Sequence, residues 1–263
     1  MKSMAILTDV TRCIGCEACV AACKDAHQLG PDAPYRWQGS PSDTSSTRWT
    51  TLVRAPGARF ARLHCRHCLD PSCAAACPVG ALESTPEGPV VYDPTICMGC
   101  RYCMMACPFG LTRYEWESPT PRVRKCLMCY DKIRDGELSE PACTAACPVQ
   151  ATVFGEREAL LGEARRRIEE NPHAYVDHIW GEHEVGGTSV LYISDVDLSS
   201  AGWPASLDET ARPEYARKVM HTVPYTFVGV AAAMYGIQWT LQRRQEVAAA
   251  ERLEQEHEDG GTQ

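Results

Sequence analysis

Short apolar runs, each closed by polar or turn-forming residues, punctuate the first part of the chain. Ala5-Ile6-Leu7-Thr8-Asp9, Val90-Val91-Tyr92-Asp93 and the stretch through Ala151-Thr152-Val153-Phe154 have the length and residue types of short strands. Trp49-Thr50-Thr51-Leu52-Val53 is a strand-like patch inside residues 30–57, a long connection rich in Pro, Gly, Ser and Thr that is expected to face a partner. Pro86-Glu87-Gly88-Pro89 supplies the turn chemistry of a reversal between Pro78-Val79-Gly80-Ala81-Leu82 and Val90. The period then changes. Glu156–Glu170 predicts a helix with Leu160, Leu161, Ala164 and Ile168 on one face and Arg165, Arg166 and Arg167 on the other, stopped at Asn171-Pro172. A further strand is predicted over Ser189–Ser194.

Val223–Leu241 is a run of 19 residues without a formal charge. As a helix it would span ~28 Å, close to the thickness of a bilayer core. Tyr225, Tyr235 and Trp239 lie toward its ends and Arg243-Arg244 follow, so it is expected to be a single transmembrane anchor. The competing reading is a buried amphipathic or partner-binding helix, because Pro224, Gly229, Gly236, Gln238 and two threonines dilute its hydropathy. Arg212, Arg217 and Lys218 on one side balance Arg243, Arg244 and Arg252 on the other, so flanking charge does not orient it. From Glu246 onward the tail is acidic.

The strands frame a denser pattern. All 16 cysteines fall into four groups of four: Cys13, Cys16, Cys19, Cys23; Cys65, Cys68, Cys73, Cys77; Cys97, Cys100, Cys103, Cys107; and Cys126, Cys129, Cys143, Cys147. The first and third follow C-x2-C-x2-C-x3-C without interruption, and in the last three groups proline follows the final cysteine, at Pro78, Pro108 and Pro148. This is the ligand run of bacterial [4Fe–4S] ferredoxins, in which three close thiolates hold one cubane and the fourth holds its neighbour. A disulfide framework suits short secreted chains rather than one of this length without a secretory leader. A single tetrahedral zinc ion does not readily use four cysteines crowded between Cys97 and Cys107. Sixteen thiolates predict four [4Fe–4S] clusters.

The flanking strands suggest how the groups share them. Groups two and three read as group, strand, turn, strand, group. The run before Cys13 resembles the run before Cys97, and the run after Cys147 resembles the run after Cys77. Groups one and four therefore read as the halves of a second module, with the first module inserted between them. The expected ligand sets are Cys13, Cys16, Cys19 and Cys147; Cys23, Cys126, Cys129 and Cys143; Cys65, Cys68, Cys73 and Cys107; and Cys77, Cys97, Cys100 and Cys103. The expected fold class is α+β: two interleaved two-cluster ferredoxin-like modules and a C-terminal single transmembrane helix. The expected division is 1–155 for the four-cluster domain, 156–214 for a helix-plus-strand extension, 215–242 for the anchor and 243–263 for the acidic tail.

Charge narrows the partners. The formal net charge of −8 falls to about −16 with four oxidised cubanes, which disfavours nucleic acid. Arg12, Lys24, Arg62, Arg66, Arg101, Lys125 and Lys132 sit beside the ligands, either to raise cluster potentials or simply to balance surface charge. His27, His64 and His67 lie near cysteines, but the cysteine count is already complete without them. Tyr102, Tyr114, Trp116 and Tyr130 read as packing around the clusters. No nucleophile–base pair, phosphate-binding glycine loop or paired catalytic carboxylates form a recognisable motif, so no substrate site is expected.

The segments CIGCEACVAAC, CRHCLDPSCAAACP, CMGCRYCMMACPFG and CLMC…PACTAACP resemble the four-cluster iron–sulfur subunits of membrane-bound respiratory oxidoreductases, of the [NiFe] uptake hydrogenase and formate dehydrogenase type. The likeness continues through VFGEREALLGEARRRI and GEHEVGGTSVLYISDV. It implies an electron-transfer subunit docked beside a catalytic subunit with a nickel–iron or a molybdenum/tungsten-pterin centre. Electrons would leave toward an integral-membrane, quinone-reactive subunit, and the same ligand pairing is implied. Two departures are visible: no proline follows Cys23, and no twin-arginine leader precedes Cys13. The expected place is therefore the cell membrane, either on the cytoplasmic face or on the periplasmic side by co-export with a partner. The alternative is a soluble polyferredoxin-type shuttle.

Overall fold

A computed structural model describes residues 2–32 and 44–259, so part of the predicted long connection, residues 33–43, lies outside the described residues. In chain order the elements are β1 (Met4–Asp9), α1 (Ala18–Ala26), β2 (Thr50–Ala55), β3 (Arg59–His64), α2 (Ser72–Ala75), β4 (Leu82–Ser84) and β5 (Val90–Tyr92). There follow α3 (Tyr102–Ala106), β6 (Arg113–Tyr114), β7 (Val123–Arg124), α4 (Tyr130–Arg134), α5 (Ala142–Ala145), β8 (Thr152–Glu156), α6 (Arg157–Glu170), β9 (Val190–Ile193) and α7 (Arg212–Asp259). The class is mixed α+β. Two compact units divide the chain, Met1–Pro213 and Glu214–Gln263.

The first unit is organised by a three-stranded sheet in the order β8-β1-β9. β1 runs antiparallel to β8, from Met4 opposite Glu156 to Thr8 opposite Thr152. It runs parallel to β9, from Ile6 opposite Val190 to Asp9 opposite Ile193. Strand alternation sends successive side chains to opposite faces, and both faces of this sheet are covered. Ala5, Leu7, Leu191 and Ile193 pack with Leu160, Leu161, Ala164 and Ile168 of α6. Ile6, Val190 and Tyr192 enter the other core with Ala55, Ala61, Trp180 and Trp203. The apolar face predicted for the 156–170 helix is thus the face that seats it. Asp9 ends β1 inside the protein, where its carboxylate accepts from Arg167 Nη1 at 3.1 Å and from the Tyr175 hydroxyl at 2.9 Å.

Three two-stranded ribbons complete this unit. β2 and β3 form a hairpin from Thr50 opposite His64 to Ala55 opposite Arg59, extending the strand-like patch of the sequence. β4 pairs with β5 across the predicted turn, where the Gly88 amide donates to Thr85 O at 3.0 Å. β6 pairs with β7 over two residues each, too short a pattern for periodicity to reveal. The strands bracketing groups one and four therefore pair with one another, as do those bracketing groups two and three.

The second unit corrects an expectation. Val223–Leu241 lies within the single 48-residue helix α7, but no helix among the described residues is long and apolar enough to cross a membrane. The reason lies in the diluting residues: Pro224, two glycines, Gln238 and the threonines lower the mean below that of a span. The side-chain hydroxyls of Thr226 and Thr240 donate to the carbonyls four residues back, at 3.1 and 2.8 Å. α7 continues through the acidic segment to Asp259.

Candidate iron–sulfur centres

Each cysteine group is a loop, a short helix and a stop. The third cysteine of every group, Cys19, Cys73, Cys103 or Cys143, sits in the first turn of α1, α2, α3 or α5. In groups two to four the helix ends just before the fourth cysteine, and the following Pro78, Pro108 or Pro148 cannot continue it. Cys23 has no such proline, and α1 runs on to Ala26. The missing proline thus has a local meaning: one more helical turn.

The loops are shaped by left-handed residues. The second residue between the first two cysteines has positive φ in all four groups: Gly15 at 73°, His67 at 49°, Gly99 at 74° and Met128 at 56°. A backbone that alternates hands in this way curls its N–H groups inward and forms an anion-binding concavity. Glycine is required at two of these positions for space as well. A Cβ on Gly15 would lie 2.7 Å from the Phe60 ring, and one on Gly99 would lie 2.9 Å from the Tyr114 hydroxyl oxygen.

A second repeat follows the last cysteine. Gly80, Gly110 and Gln150, three residues on, all take positive φ. The next amide then points back at sulfur: Ala81 N donates to Cys77 Sγ at 3.2 Å, Leu111 N to Cys107 Sγ at 3.5 Å and Ala151 N to Cys147 Sγ at 3.2 Å. Met128 N likewise donates to Cys126 Sγ at 3.3 Å. Such donors favour a thiolate. At Cys77, burial raises the thiol, but the amides of Val79, Leu82, Ala81 and Gly80 outweigh it and the net direction is down.

No disulfide joins any of the sixteen cysteines. Cys23, Cys73, Cys103 and Cys129 are buried, Cys16 is exposed and the others are intermediate. Burial is the main influence on the enclosed ones, raising Cys19 and Cys103 to about 11 and Cys73 to about 12. After burial, neighbouring thiols push the same way. Cys13 is affected by Cys147 and Cys16, and Cys19 by Cys143, Cys13 and Cys147. Cys23 is affected by Cys126, Cys143 and Cys129. Cys68 is affected by Cys65, Cys107 and Cys73, and Cys103 by Cys100, Cys77 and Cys97.

Links also run between these gatherings: Cys19 with Cys143, Cys126 with Cys65, and Cys73 with Cys103. Cys13, Cys16, Cys19 and Cys147 line one recess together with Ile14, Leu52 and Arg62. Among the described residues, no group of three or more His, Cys, Asp or Glu closes around a single metal ion. Thiols gathered in this way and served by backbone N–H donors fit a cubane. Its four irons each take one thiolate.

The basic residues divide in two. Arg12 pairs with Asp9 at 3.4 Å, Lys24 with Asp32 at 2.7 Å and Lys132 with Glu137 at 2.6 Å, which is ordinary charge balance. Arg101 stacks 5.0 Å from the Trp116 ring centroid, beside the edge-to-face Tyr114–Trp116 pair. Arg62, Arg66 and Lys125 are instead buried, as are His64 and His67. Arg66 lies against the rings of Trp203 and Tyr192 at 4.4 and 4.7 Å. His67 accepts from Val90 N through Nδ1 at 2.9 Å, and His27 Nε2 lies 3.4 Å from Cys129 Sγ. The distinction is invisible in the sequence, where all seven basic residues stand beside cysteines. The one local cue is that Arg62 and His64 sit two apart on a short strand running straight into Cys65.

Fold and site together define an iron–sulfur protein of the [4Fe–4S] ferredoxin-like class. Residues 58–157 match the 4Fe-4S dicluster domain. The chain is 38% identical to a protein of Nitratidesulfovibrio vulgaris over 95% of this chain and 69% of the other. It is 30% identical to the hydrogenase-2 operon protein HybA of Escherichia coli O157:H7, over 98% of this chain and 88% of that one. To the iron–sulfur subunit of the nitrate-inducible formate dehydrogenase of Escherichia coli it is 33% identical, over 72% of this chain and 67% of that one. The chain belongs to the family of iron–sulfur electron-transfer subunits of respiratory oxidoreductases. Its members are wiring subunits, not catalytic ones.

Proposed function

We propose that this chain holds four [4Fe–4S] clusters in a row and carries electrons between a catalytic subunit and a quinone-reactive membrane subunit. The catalytic partner would be of the [NiFe] hydrogenase or formate dehydrogenase type. A bound cubane supplies one-electron chemistry without a substrate site. The ligand sets are Cys13, Cys16, Cys19 and Cys147; Cys23, Cys126, Cys129 and Cys143; Cys65, Cys68, Cys73 and Cys107; and Cys77, Cys97, Cys100 and Cys103.

The observation that supports this reading is the neighbourhood of the thiols. Each set draws on two cysteine groups, one and four for the first two sets and two and three for the others, and the inter-set links Cys19–Cys143, Cys126–Cys65 and Cys73–Cys103 string the sets in that order. The two ends carry exposed apolar side chains suited to partners: Ile14 and Val149 beside the first set, and Ile96, Met98, Tyr102 and Met105 beside the fourth. Attachment to the membrane is assigned to the partner subunit rather than to α7.

Anaerobic purification of the complex from membranes should give about sixteen iron and sixteen acid-labile sulfide per chain. Stoichiometric zinc, or iron for two or three clusters, would overturn the count. Cys147→Ala should perturb the same EPR signal as Cys13→Ala, and a different one from Cys126→Ala. Nickel in the purified complex would identify a hydrogenase-type partner, and molybdenum or tungsten a pterin-type partner. A chain that carries all its iron but fractionates with neither would be a soluble shuttle.

A further inference from the structure

The reading of four clusters leaves one buried cation unaccounted for. Arg62 lies on β3 with 2% of its surface exposed. Its Nε, Nη1 and Nη2 atoms all lack a hydrogen-bond partner among the described residues. Neighbouring buried cations do not share this state. Arg66 donates through Nη1 to the Tyr192 hydroxyl and through Nη2 to Gly202 O at 3.0 Å. Lys125 Nζ donates to the carbonyls of Val90 and Cys126. A guanidinium carries five N–H donors and no acceptor, and burying it with none of them used is strongly unfavourable unless something anionic receives them.

The surroundings say what that is. Arg62 lines the recess bounded by Cys13, Cys16, Cys19 and Cys147. After burial, the neighbours that act on its charge most strongly are Cys143, Tyr192, Cys19 and Cys126. Tyr192 is already committed, since its hydroxyl donates to Arg62's own carbonyl and accepts from Arg66. What remains is cysteine sulfur: Cys13, Cys16, Cys19 and Cys147, which share its recess, and Cys143 and Cys126 of the second set.

We propose that Arg62 is a cationic bridge between the first two clusters, donating from its planar fork to sulfur on both and setting their potentials together; this rests on the four-cluster assignment above. A fixed positive charge and N–H···S bonds stabilise the reduced, more negative state of a cluster and so raise its potential. A guanidinium can serve two faces at once, where an ammonium is a point charge. Arg62 is therefore a positioning and tuning residue for electron transfer, not a ligand.

The test uses the whole chain purified anaerobically as wild type, Arg62→Lys and Arg62→Gln. Iron and sulfide are assayed first, then each EPR signal is titrated against potential, with Cys13→Ala and Cys126→Ala identifying the first two clusters. In Arg62→Gln both of those signals should move to lower potential while the other two stay in place. Arg62→Lys should show smaller shifts. Loss of about eight iron confined to the first two signals in the Gln variant, with Lys retaining them, also supports the bridge. Four intact clusters with unmoved potentials in Arg62→Gln would overturn it. So would an equal shift of all four, or loss of all four in both variants, which would make Arg62 only a folding residue. A wild-type chain with fewer than four clusters would instead sink the assignment on which the bridge depends, and with it the bridge.

Discussion

The strands around cysteine groups one and four belong to a sheet buried on both faces, whereas those around groups two and three form only short ribbons. In the outer module, Ala5, Ile6, Leu7, Val190, Leu191, Tyr192 and Ile193 are all fully enclosed, between α6 on one side and the β2–β3 hairpin region on the other. In the inner module the apolar core consists of Leu82, Val90, Tyr114 and Val123 with Cys73 and Cys103 themselves, and Cys77 and Cys97 packed against it. A two-stranded ribbon is marginal by itself in water. The difference teaches that one module has a hydrocarbon core besides its buried ligands, while the other relies on its ligands as core residues and so couples folding to the iron it holds.

Iron removal should break the comparison most visibly. Chelation under anaerobic reducing conditions, followed by hydrogen exchange, should abolish amide protection across residues 72–125. Protection should persist in β1, β8 and β9. Equal loss in both regions would show that the sheet depends on the clusters as much as the ribbons do.

Core truncations should sharpen it next. Leu191→Ala in the sheet should cost about 2–5 kcal/mol, the usual range for emptying a fully buried leucine site. Leu82→Ala in the inner core should fall toward the lower end of that range, because Leu82 lies on a short two-stranded ribbon that can relax around the cavity. The thermal midpoints of the holo-proteins give the order, and a larger drop for Leu82→Ala would reverse it.

A smaller effect belongs to the ligand loops. Gly99→Ala places a Cβ in a left-handed conformation at φ 74° and 2.9 Å from the Tyr114 hydroxyl oxygen. About 1–2 kcal/mol of strain is expected. Adding Tyr114→Phe should recover the steric part and leave the backbone part. If the double variant is no better than the single one by thermal midpoint, the hydroxyl is not the obstacle.

The smallest effect is expected from ending the chain after Pro213. The two compact units divide at that point, so iron content and the EPR spectrum should match the full chain. Loss of iron would show that α7 supports the cluster-bearing unit after all.

Much of the site was legible because cluster ligation writes itself as local spacing. Four groups of cysteines, their prolines and the strand-like runs beside them announce iron–sulfur chemistry, and those runs do pair as the interleaved arrangement requires. The helix at 157–170 was legible for a similar reason, since its buried stripe repeats within a few turns. The membrane span was overread: the absence of charge from Val223 to Leu241 is not the same as sufficient hydropathy, and glycine, glutamine and threonine make the difference.

What the sequence by itself determined was the chemistry, because ligand number and residue type are one-dimensional properties. Only the tertiary structure decided which neighbours matter. β9 joins β1 in parallel across most of the chain, a pairing with no local signature. His67 and Met128 take the left-handed turns that glycine fills in the other two groups, held there by their surroundings rather than by intrinsic preference. Seven basic residues stand beside cysteines in the sequence, yet folding leaves Arg62 enclosed among cysteines with its donors unpartnered among the described residues. Burial and long-range proximity are properties of packing, so no spacing along the chain could have separated it from the rest.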